Sequence, residues 1–180
     1  CGIKYLFLNT DTEYCLILNP DVIISEPDVK QLLSVVMASN ADIAAGIPMY
    51  KDGSIAISSW RIPSYTQYIF SSLSIINKIF RLYPISVRRN QTPDYAEVDC
   101  VTGCLVLINI RKNLDSILYD ENIFLYSEET VLGIKAKNAG LKTIEVSNCR
   151  YYHLHGQSTK KTYKKQRALR QILLAGRLHV

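Results

Sequence analysis

The sequence lacks the features that mark several common classes of protein. No apolar run approaches the roughly 18 residues that a membrane span needs, and the first residues show no secretory signal pattern. Neither G-x-G-x-x-G, G-x-x-x-x-G-K-S nor G-x-S-x-G occurs. These absences exclude a dinucleotide fingerprint, a P-loop and the nucleophile elbow of α/β-hydrolases.

The cysteines do not form a pattern that is typical of a disulfide scaffold or a zinc finger. There are five, an odd number, in a chain that is not small. Cys100 and Cys104 lie four residues apart, with no second pair at zinc-finger spacing. We therefore expect buried, reduced thiols in a cytoplasmic protein.

Acidic residues are absent from residues 159–180, which hold seven of the chain's basic residues. The net charge is +5, so the remainder of the chain is mildly acidic, at −2. A nucleic-acid-binding domain would carry its basic surface over the fold, so this distribution argues against nucleic acid as a partner. The tail is predicted to be a helix, which either contacts anionic lipid at the inner face of the plasma membrane or presents a solvated face.

Short apolar segments alternate with one long amphipathic segment, a pattern typical of α/β folds. A helix is predicted to end near residue 9, and Ser25 to Asp28 form a capping box that opens a second helix. A turn is predicted at 51–54, and Gly103 interrupts an apolar run as a bulge or close approach would. Continuous apolar character predicts a mostly parallel central sheet flanked by helices. The predicted strands are 13–18, "DIAAGIPMY", "AEVDCVTGCLVLINI" and "KTIEV", and the following "SNCRYYHLHGQST" is expected to be irregular.

Residues 61–95 interrupt the sheet-forming segments with aromatic residues, a helical stretch and a polar loop. Such an insertion either forms one wall of a binding cleft or is a plain packing excursion.

Asp21 follows the apolar strand in "EYCLILNPDVII". A carboxylate beyond a strand end lies where open α/β sheets bind ligands, and it can hold one oxygen-preferring cation. Asn-Pro-Asp is also a good turn, so the motif alone leaves both interpretations open.

Glu128 and Glu129 begin a predicted helix after a loop that also holds Asp120, Glu121 and Tyr126. A carboxylate here can act as a general base, or it can simply complement the helix dipole. His153 and His155 lie in one short polar segment, where an imidazole could bind a metal or a diphosphate, or could be structural.

Five stretches occur in an order that resembles one enzyme family. They are "LILNPDV" (16–22), "VDCVTGCLVLI" (98–108), "YDENIFLYSEE" (119–129), "AGLKTIEV" (139–146) and "HLHGQS" (153–158). The chain resembles the inverting family 2 glycosyltransferases of GT-A type, in particular the rhamnosyltransferase-like branch that acts in bacterial surface polysaccharide synthesis.

The resemblance implies a role for each matching residue. Asp21 and His153 would hold Mg²⁺ or Mn²⁺ against the diphosphate of a nucleotide-sugar donor. Glu129 would be the catalytic base, with Glu128 as the fallback. Asp99, Gly103, Tyr126 and His155 would line the substrate side, where a saccharide or lipid-linked acceptor binds.

Several positions depart from the family pattern. Glu stands at 129 where the family has Asp, Val131 replaces a second Asp, and Lys135 replaces Arg. The family's nucleotide-binding half has no match in the chain, and the first residue is Cys1 rather than Met. We therefore expect 1–158 to be the acceptor-side and metal-side part of a longer enzyme, inactive alone. The alternative is a degenerate or truncated domain that binds a glycan or a partner without catalysis.

Overall fold

The computed structural model describes residues 2–64, 66–67, 89–112, 114–119 and 127–154. The helices within these ranges are α1 Gly2–Asn9, α2 Glu26–Ser39, α3 Leu114–Ile117 and α4 Glu128–Asn138. The strands are β1 Tyr14–Leu18, β2 Val22–Ile23, β3 Ile43–Met49, β4 Ser59–Trp60, β5 Tyr95–Glu97, β6 Cys100–Val101, β7 Leu105–Asn109 and β8 Thr143–His153.

Six of these strands form one mixed sheet in the order β1-β7-β3-β8-β2, with β5 also paired to β8. The strands β4 and β6 form a separate antiparallel pair. The α/β class is confirmed. The expectation of a mostly parallel sheet is wrong for the described strands, because only β3 and β8 pair in parallel. A continuous apolar run indicates that both faces of a strand are buried. It does not determine whether the strand pairs with its neighbours in parallel or antiparallel.

Both faces of the sheet carry a hydrophobic core, and β7 contributes to each of them in alternation. Leu105 and Leu107 pack on the α2 side, whereas Val106 and Ile108 pack on the α4 side. All four are 5% exposed or less. The strand β1 lies at the sheet edge and is only partly buried, so its apolar run is less enclosed than the sequence pattern indicates.

The helix α2 begins as its sequence predicts. The Ser25 side chain accepts a hydrogen bond from the Asp28 amide at 3.2 Å, and Asn40 ends the helix with a φ of +52°. Leu32 and Val36 are fully buried, whereas Met37 is 60% exposed.

The strand β8 continues seven residues beyond the predicted "KTIEV" and ends at His153. The expectation of an irregular segment there is wrong, because Cys149 and Tyr151 alternate into the core on the α2 side. A register shift against β3 after Ala45 accommodates the longer strand. The extension carries His153 to the end of the sheet.

A glycine allows α4 to approach the sheet closely. A Cβ atom added at Gly133 would lie 2.5 Å from Cys100 Sγ and 2.7 Å from the Asp99 carbonyl oxygen. Because neither neighbour can move freely, this contact fixes the distance between α4 and β6. It also fixes the position of the carboxylates at the start of α4.

Two predictions concern mostly residues outside the described ranges. Of the insertion 61–95, residues 65 and 68–88 are not described, and the basic tail 159–180 lies wholly outside. The role of 61–95 as a cleft wall and the contact of the 159–180 tail with lipid therefore remain predictions. Within the described ranges, every helix is too short or too polar to cross a membrane.

Candidate functional site

Asp21 and His153, predicted as metal ligands, lie side by side at one end of the sheet. Asp21 Oδ1 is 3.2 Å from His153 Nε2, and their side chains are 17% and 15% exposed. Backbone pairing holds them there, because Val22 is in register with His153 and the Leu154 amide donates to the Asp21 carbonyl at 3.0 Å. Asn19 and Val22 close a turn at 3.1 Å, so the Asn-Pro-Asp turn itself aims the carboxylate.

The separation of this pair fits two ligands on one cation. Neighbouring ligand atoms around an octahedral Mg²⁺, each about 2.1 Å from the metal, lie roughly 3 Å apart. Within the described part of the chain, no group of three or more His, Cys, Asp or Glu residues gathers as a metal site. Asp21 supplies the oxygen that a Mg²⁺-like or Mn²⁺-like ion prefers, and such an ion commonly takes further oxygens from phosphate and water. Asp21 and His153 are thus the residues that could hold such an ion.

An open pocket of ≈ 340 Å³ lies beside His153. The predicted turn forms its opposite wall, with the Tyr50 amide donating to Ser54 at 2.8 Å and Gly53 at a φ of +81°. Sequence reasoning predicted the turn but assigned it no function. The described residues that line the pocket are Tyr50, Lys51, Asp52, His153 and Leu154.

Glu129, the predicted base, contacts Gly103 directly. The Gly103 amide donates to Glu129 Oε1 at 3.2 Å, and a Cβ atom at Gly103 would lie 3.0 Å from Glu129 Cγ. The prediction of a close approach at Gly103 is confirmed. Burial, and then the neighbouring charge of Glu128, raise the pKa of Glu129 to about 7. A carboxyl with this pKa is suited to proton transfer near neutral pH.

The Glu128 carboxylate is largely removed from water, and few hydrogen bonds from the described residues replace its hydration. Burial raises its pKa, and its Oε2 atom is buried with no hydrogen-bond partner among the described residues. The Tyr119 hydroxyl, which sequence reasoning missed, is in the same condition within those ranges. Ser127, which precedes Glu128, has a φ of +72°, a strained conformation that tends to occur at functional positions.

Hydrogen bonds of two consecutive residues, Gly103 and Cys104, connect Glu129 to the turn before Asp21. The Asn19 amide donates to the Cys104 carbonyl at 2.9 Å, and the Gly103 amide donates to Glu129. The segment between β6 and β7 therefore contacts the Asn-Pro-Asp turn on one side and the candidate base on the other. The Cys104 Sγ atom also lies 3.0 Å from the hydroxyl of Tyr151, two residues before His153.

Asp99, predicted to contact substrate, is buried and already engaged. Arg89 lies 2.7 Å and Lys137 3.5 Å from Asp99 Oδ1, and the Ile62 amide donates to Oδ2 at 3.2 Å. Burial alone would raise the pKa of Asp99, but the Arg89 hydrogen bond, the Ile62 amide and the two cations lower it. Its contact with substrate remains a prediction.

The other two predicted substrate-binding residues, Tyr126 and His155, lie outside the described residues. The same holds for the acidic loop residues Asp120 and Glu121. The structure thus brings together Asp21 with His153 and Glu129 with Gly103.

Comparisons with known proteins define the class of fold but not the family. No protein-family model matches the chain, and no curated protein matches it in sequence. Solved structures do share its fold, and they include a glycosyltransferase of GT-A type. The mixed α/β fold is therefore similar to that of GT-A glycosyltransferases.

Two of these structures show the extent of the likeness. GalNAc-T7, solved with UDP, GalNAc and Mn²⁺, matches 86% of this chain with 13% identity and a TM-score of 0.55. A197 from STIV matches 86% of this chain with 15% identity and a TM-score of 0.51. The chain spans 29% of the length of the GalNAc-T7 structure and 64% of that of A197. At these identities the likeness concerns the fold.

Proposed function

We propose that the chain is the acceptor-side and metal-side part of a metal-dependent inverting glycosyltransferase. It would move a sugar, rhamnose being favoured by the sequence resemblance, from a nucleotide-diphosphate donor to a glycan or lipid-linked acceptor. Bacterial surface polysaccharide synthesis is the proposed setting. The observation that carries this proposal is the contact of residues 103 and 104 with Glu129 and with the turn before Asp21.

The donor diphosphate is proposed to bind beside Asp21 and His153. When bound there, Mg²⁺ or Mn²⁺ would neutralise charge on the departing diphosphate. Asp21 supplies a carboxylate oxygen and His153 an imidazole nitrogen, held together by the pairing of β2 with β8. Lys51 lines the adjoining pocket and could bind a phosphate oxygen, whereas Asp52 beside it carries the opposite charge.

Glu129 is proposed to take the proton from the acceptor hydroxyl. The Gly103 amide occupies Oε1, which leaves Oε2 to accept the proton as the hydroxyl oxygen bonds to the anomeric carbon. The bond between that carbon and the diphosphate breaks in the same step, which inverts the configuration. The surroundings that raise the pKa of Glu129 to about 7 also make it a stronger base once ionised.

A turnover assay with two matched variants tests the proposal. Release of nucleoside diphosphate from a panel of nucleotide sugars is measured with and without Mn²⁺, on the chain joined to its natural upstream sequence. Asp21→Ala is expected to abolish Mn²⁺-dependent release. Asp11→Ala, which removes an exposed carboxylate, is expected to keep it.

Equal rates in the two variants would contradict the proposal. Glycan binding without any turnover is the result expected of the alternative, a non-catalytic binding domain. Residues 1–180 tested alone are expected to show weak or no turnover, and full turnover by this segment would overturn the proposed division of the enzyme.

A further inference from the structure

A small polar pocket of ≈ 80 Å³ lies beside Asp99 and is separate from the proposed metal site. Thr143, the first residue of β8, lines this pocket, whereas His153 is the last residue of the same strand. At about 3.3 Å per residue, the two ends of β8 are roughly 30 Å apart. Three basic and two acidic side chains line the pocket, which leaves one excess positive charge: Arg89, Lys137, Lys142, Glu97 and Asp99.

Both acidic side chains of the pocket already have partners. One Asp99 oxygen faces Arg89 and Lys137, and the other accepts from a backbone amide at 3.2 Å. Glu97 Oε1 lies 3.3 Å from Lys142 Nζ, and Glu97 Oε2 accepts a hydrogen bond at 2.7 Å. Each of these carboxylate oxygens is therefore occupied, and a cationic ligand would have to displace the present partners.

Two of the basic side chains, by contrast, keep most of their hydrogen-bond donors. A guanidinium carries five N–H donors and an ammonium three. Among the described residues, the side chains of Arg89 and Lys137 each contact only Asp99 Oδ1. They are 46% and 59% exposed, so a small ligand can reach them. Lys142 differs, because its Nζ atom has three partners between 3.1 and 3.4 Å.

The two cations with spare donors are close enough to hold one group. Arg89 Nη2 and Lys137 Nζ lie 2.7 Å and 3.5 Å from the same Asp99 oxygen, so one ligand can span both. An oxyanion accepts hydrogen bonds at more than one oxygen, and a guanidinium can donate two parallel bonds to it. A neutral hydroxyl would leave the excess charge uncompensated, and a further cation would be repelled. The pocket has room for a few water molecules or one such anion.

We propose that this pocket binds a singly charged oxyanion, a carboxylate or a phosphodiester group, between Arg89 and Lys137. One negative charge would cancel the excess positive charge of the pocket. Arg89 belongs to the 61–95 insertion and Lys137 to α4, so the bound anion would tie the insertion to the helix that carries Glu129. The site goes beyond the proposed transfer reaction and does not depend on it.

Titration of the native protein with small anions tests the proposal without donor, metal or turnover. Acetate is the carboxylate probe and dimethyl phosphate the phosphodiester probe, and sodium chloride at equal ionic strength corrects for charge screening. The reporter is the ¹⁵N signal of Arg89 Nε, which is assigned by its loss in Arg89→Lys. We expect a saturable shift with at least one oxyanion at millimolar concentration. The probe that binds more tightly identifies the chemical class of the ligand.

Lys137→Gln is the informative variant, because Lys137 is exposed and its contact with Asp99 is long. We expect its anion affinity to fall at least tenfold, because it loses one charge-assisted hydrogen bond. Lys137→Arg, which keeps the charge, is expected to bind the anion as the native protein does. Lys30→Gln is the matched control, since it removes an exposed lysine that pairs with Glu26 on α2, and it should leave anion affinity unchanged.

The absence of a saturable shift with both oxyanions would overturn the proposal. Equal anion affinity in Lys137→Gln and the native protein would do so too, as would equal weakening by Lys30→Gln. A shift of the Arg89 signal that sodium chloride reproduces in full would show screening alone and would also overturn it. The transferase proposal would survive each of these results, because Asp21 and His153 lie at the other end of β8.

Discussion

The surroundings of Asp99 and Glu129 differ, although both residues belong to motifs that the resemblance assigns to the site. Asp99 faces Arg89, Lys137 and one amide, and these compensate for its burial. Glu129 faces only backbone amides, its own and that of Gly103, and has a like charge beside it at Glu128. Their pKa values move in opposite directions from similar starting points.

This difference separates a carboxylate that stabilises the fold from one that is suited to chemistry. A compensated carboxylate stays ionised and contributes to stability, because the folded state favours its charged form. A desolvated carboxylate beside a like charge costs stability and gains basicity.

Glu129→Gln should have the largest effect on rate and little effect on stability. Loss of a general base typically lowers the rate by about 10² to 10⁴-fold. The free energy of unfolding at pH 8 should be unchanged or higher, because the variant removes a buried charge. Turnover and urea unfolding measure the two quantities, with exposed Glu13→Gln as control. Loss from Glu128→Gln with none from Glu129→Gln would show that Glu128 is the base.

Asp99→Asn should show the opposite pattern, with a loss of stability. Removing the charge leaves Arg89 and Lys137 without their buried partner, and since both are partly exposed we expect a loss of about 2 kcal/mol. The stability that Asp99 contributes is present above the pKa of the unfolded chain and is lost as pH falls through its lowered folded pKa. Urea unfolding at pH 7 and pH 3 checks this, with Asp94→Asn as control. Unchanged stability would mean that the ion pairs contribute nothing.

Gly103→Ala should affect rate more than stability. The added methyl group would lie 3.0 Å from Glu129 Cγ and Oε1, and this side chain can shift away. We expect about a tenfold lower kcat, because small displacements of a base are costly to catalysis. By contrast, Gly133→Ala meets Cys100 Sγ and backbone, so it should destabilise the fold by about 1–3 kcal/mol. Similar effects of the two variants on kcat would contradict this division.

The smallest predicted effect is a shift in pH dependence. The kcat/KM value should rise with pH to half its maximum near pH 7, where Glu129 ionises. Glu128→Gln should move this midpoint to lower pH, though burial keeps it above the ordinary value of 4.5. Stability should fall as pH rises from 4.5 through 7, because the folded state holds a proton that the unfolded chain has released. A midpoint that Glu128→Gln leaves in place would remove the role of the like charge.

The sequence predicted the site better where the motifs were local. Asp21 ends a strand and Glu129 begins a helix, and such positions follow from short patterns. The ion pair between Asp99 and Arg89 joins a motif to the 61–95 insertion, and no local pattern indicates it. The sequence pattern predicted too short a β8. Polar residues lie between and beside Cys149 and Tyr151, so the alternation of these two buried residues is hard to recognise in the sequence.

Tyr119 illustrates a further limit of sequence reasoning. Its sequence position marks it as one more aromatic residue before an acidic loop. Only the packing of residues 118 and 119 against α4 shows that its hydroxyl is buried beside two carboxylates. Burial and hydrogen-bond satisfaction depend on the whole fold, so sequence patterns do not predict them.

The proposed function requires that Asp21 and His153 hold one divalent cation against a diphosphate. Pulsed electron paramagnetic resonance of Mn²⁺ with inorganic pyrophosphate, on protein labelled with ¹⁵N-histidine, measures this most directly. We predict a ¹⁵N coupling to Mn²⁺ that disappears in His153→Gln, and weaker Mn²⁺ binding in Asp21→Asn. Mn²⁺ and pyrophosphate that bind without nitrogen coupling, or not at all, would contradict the account.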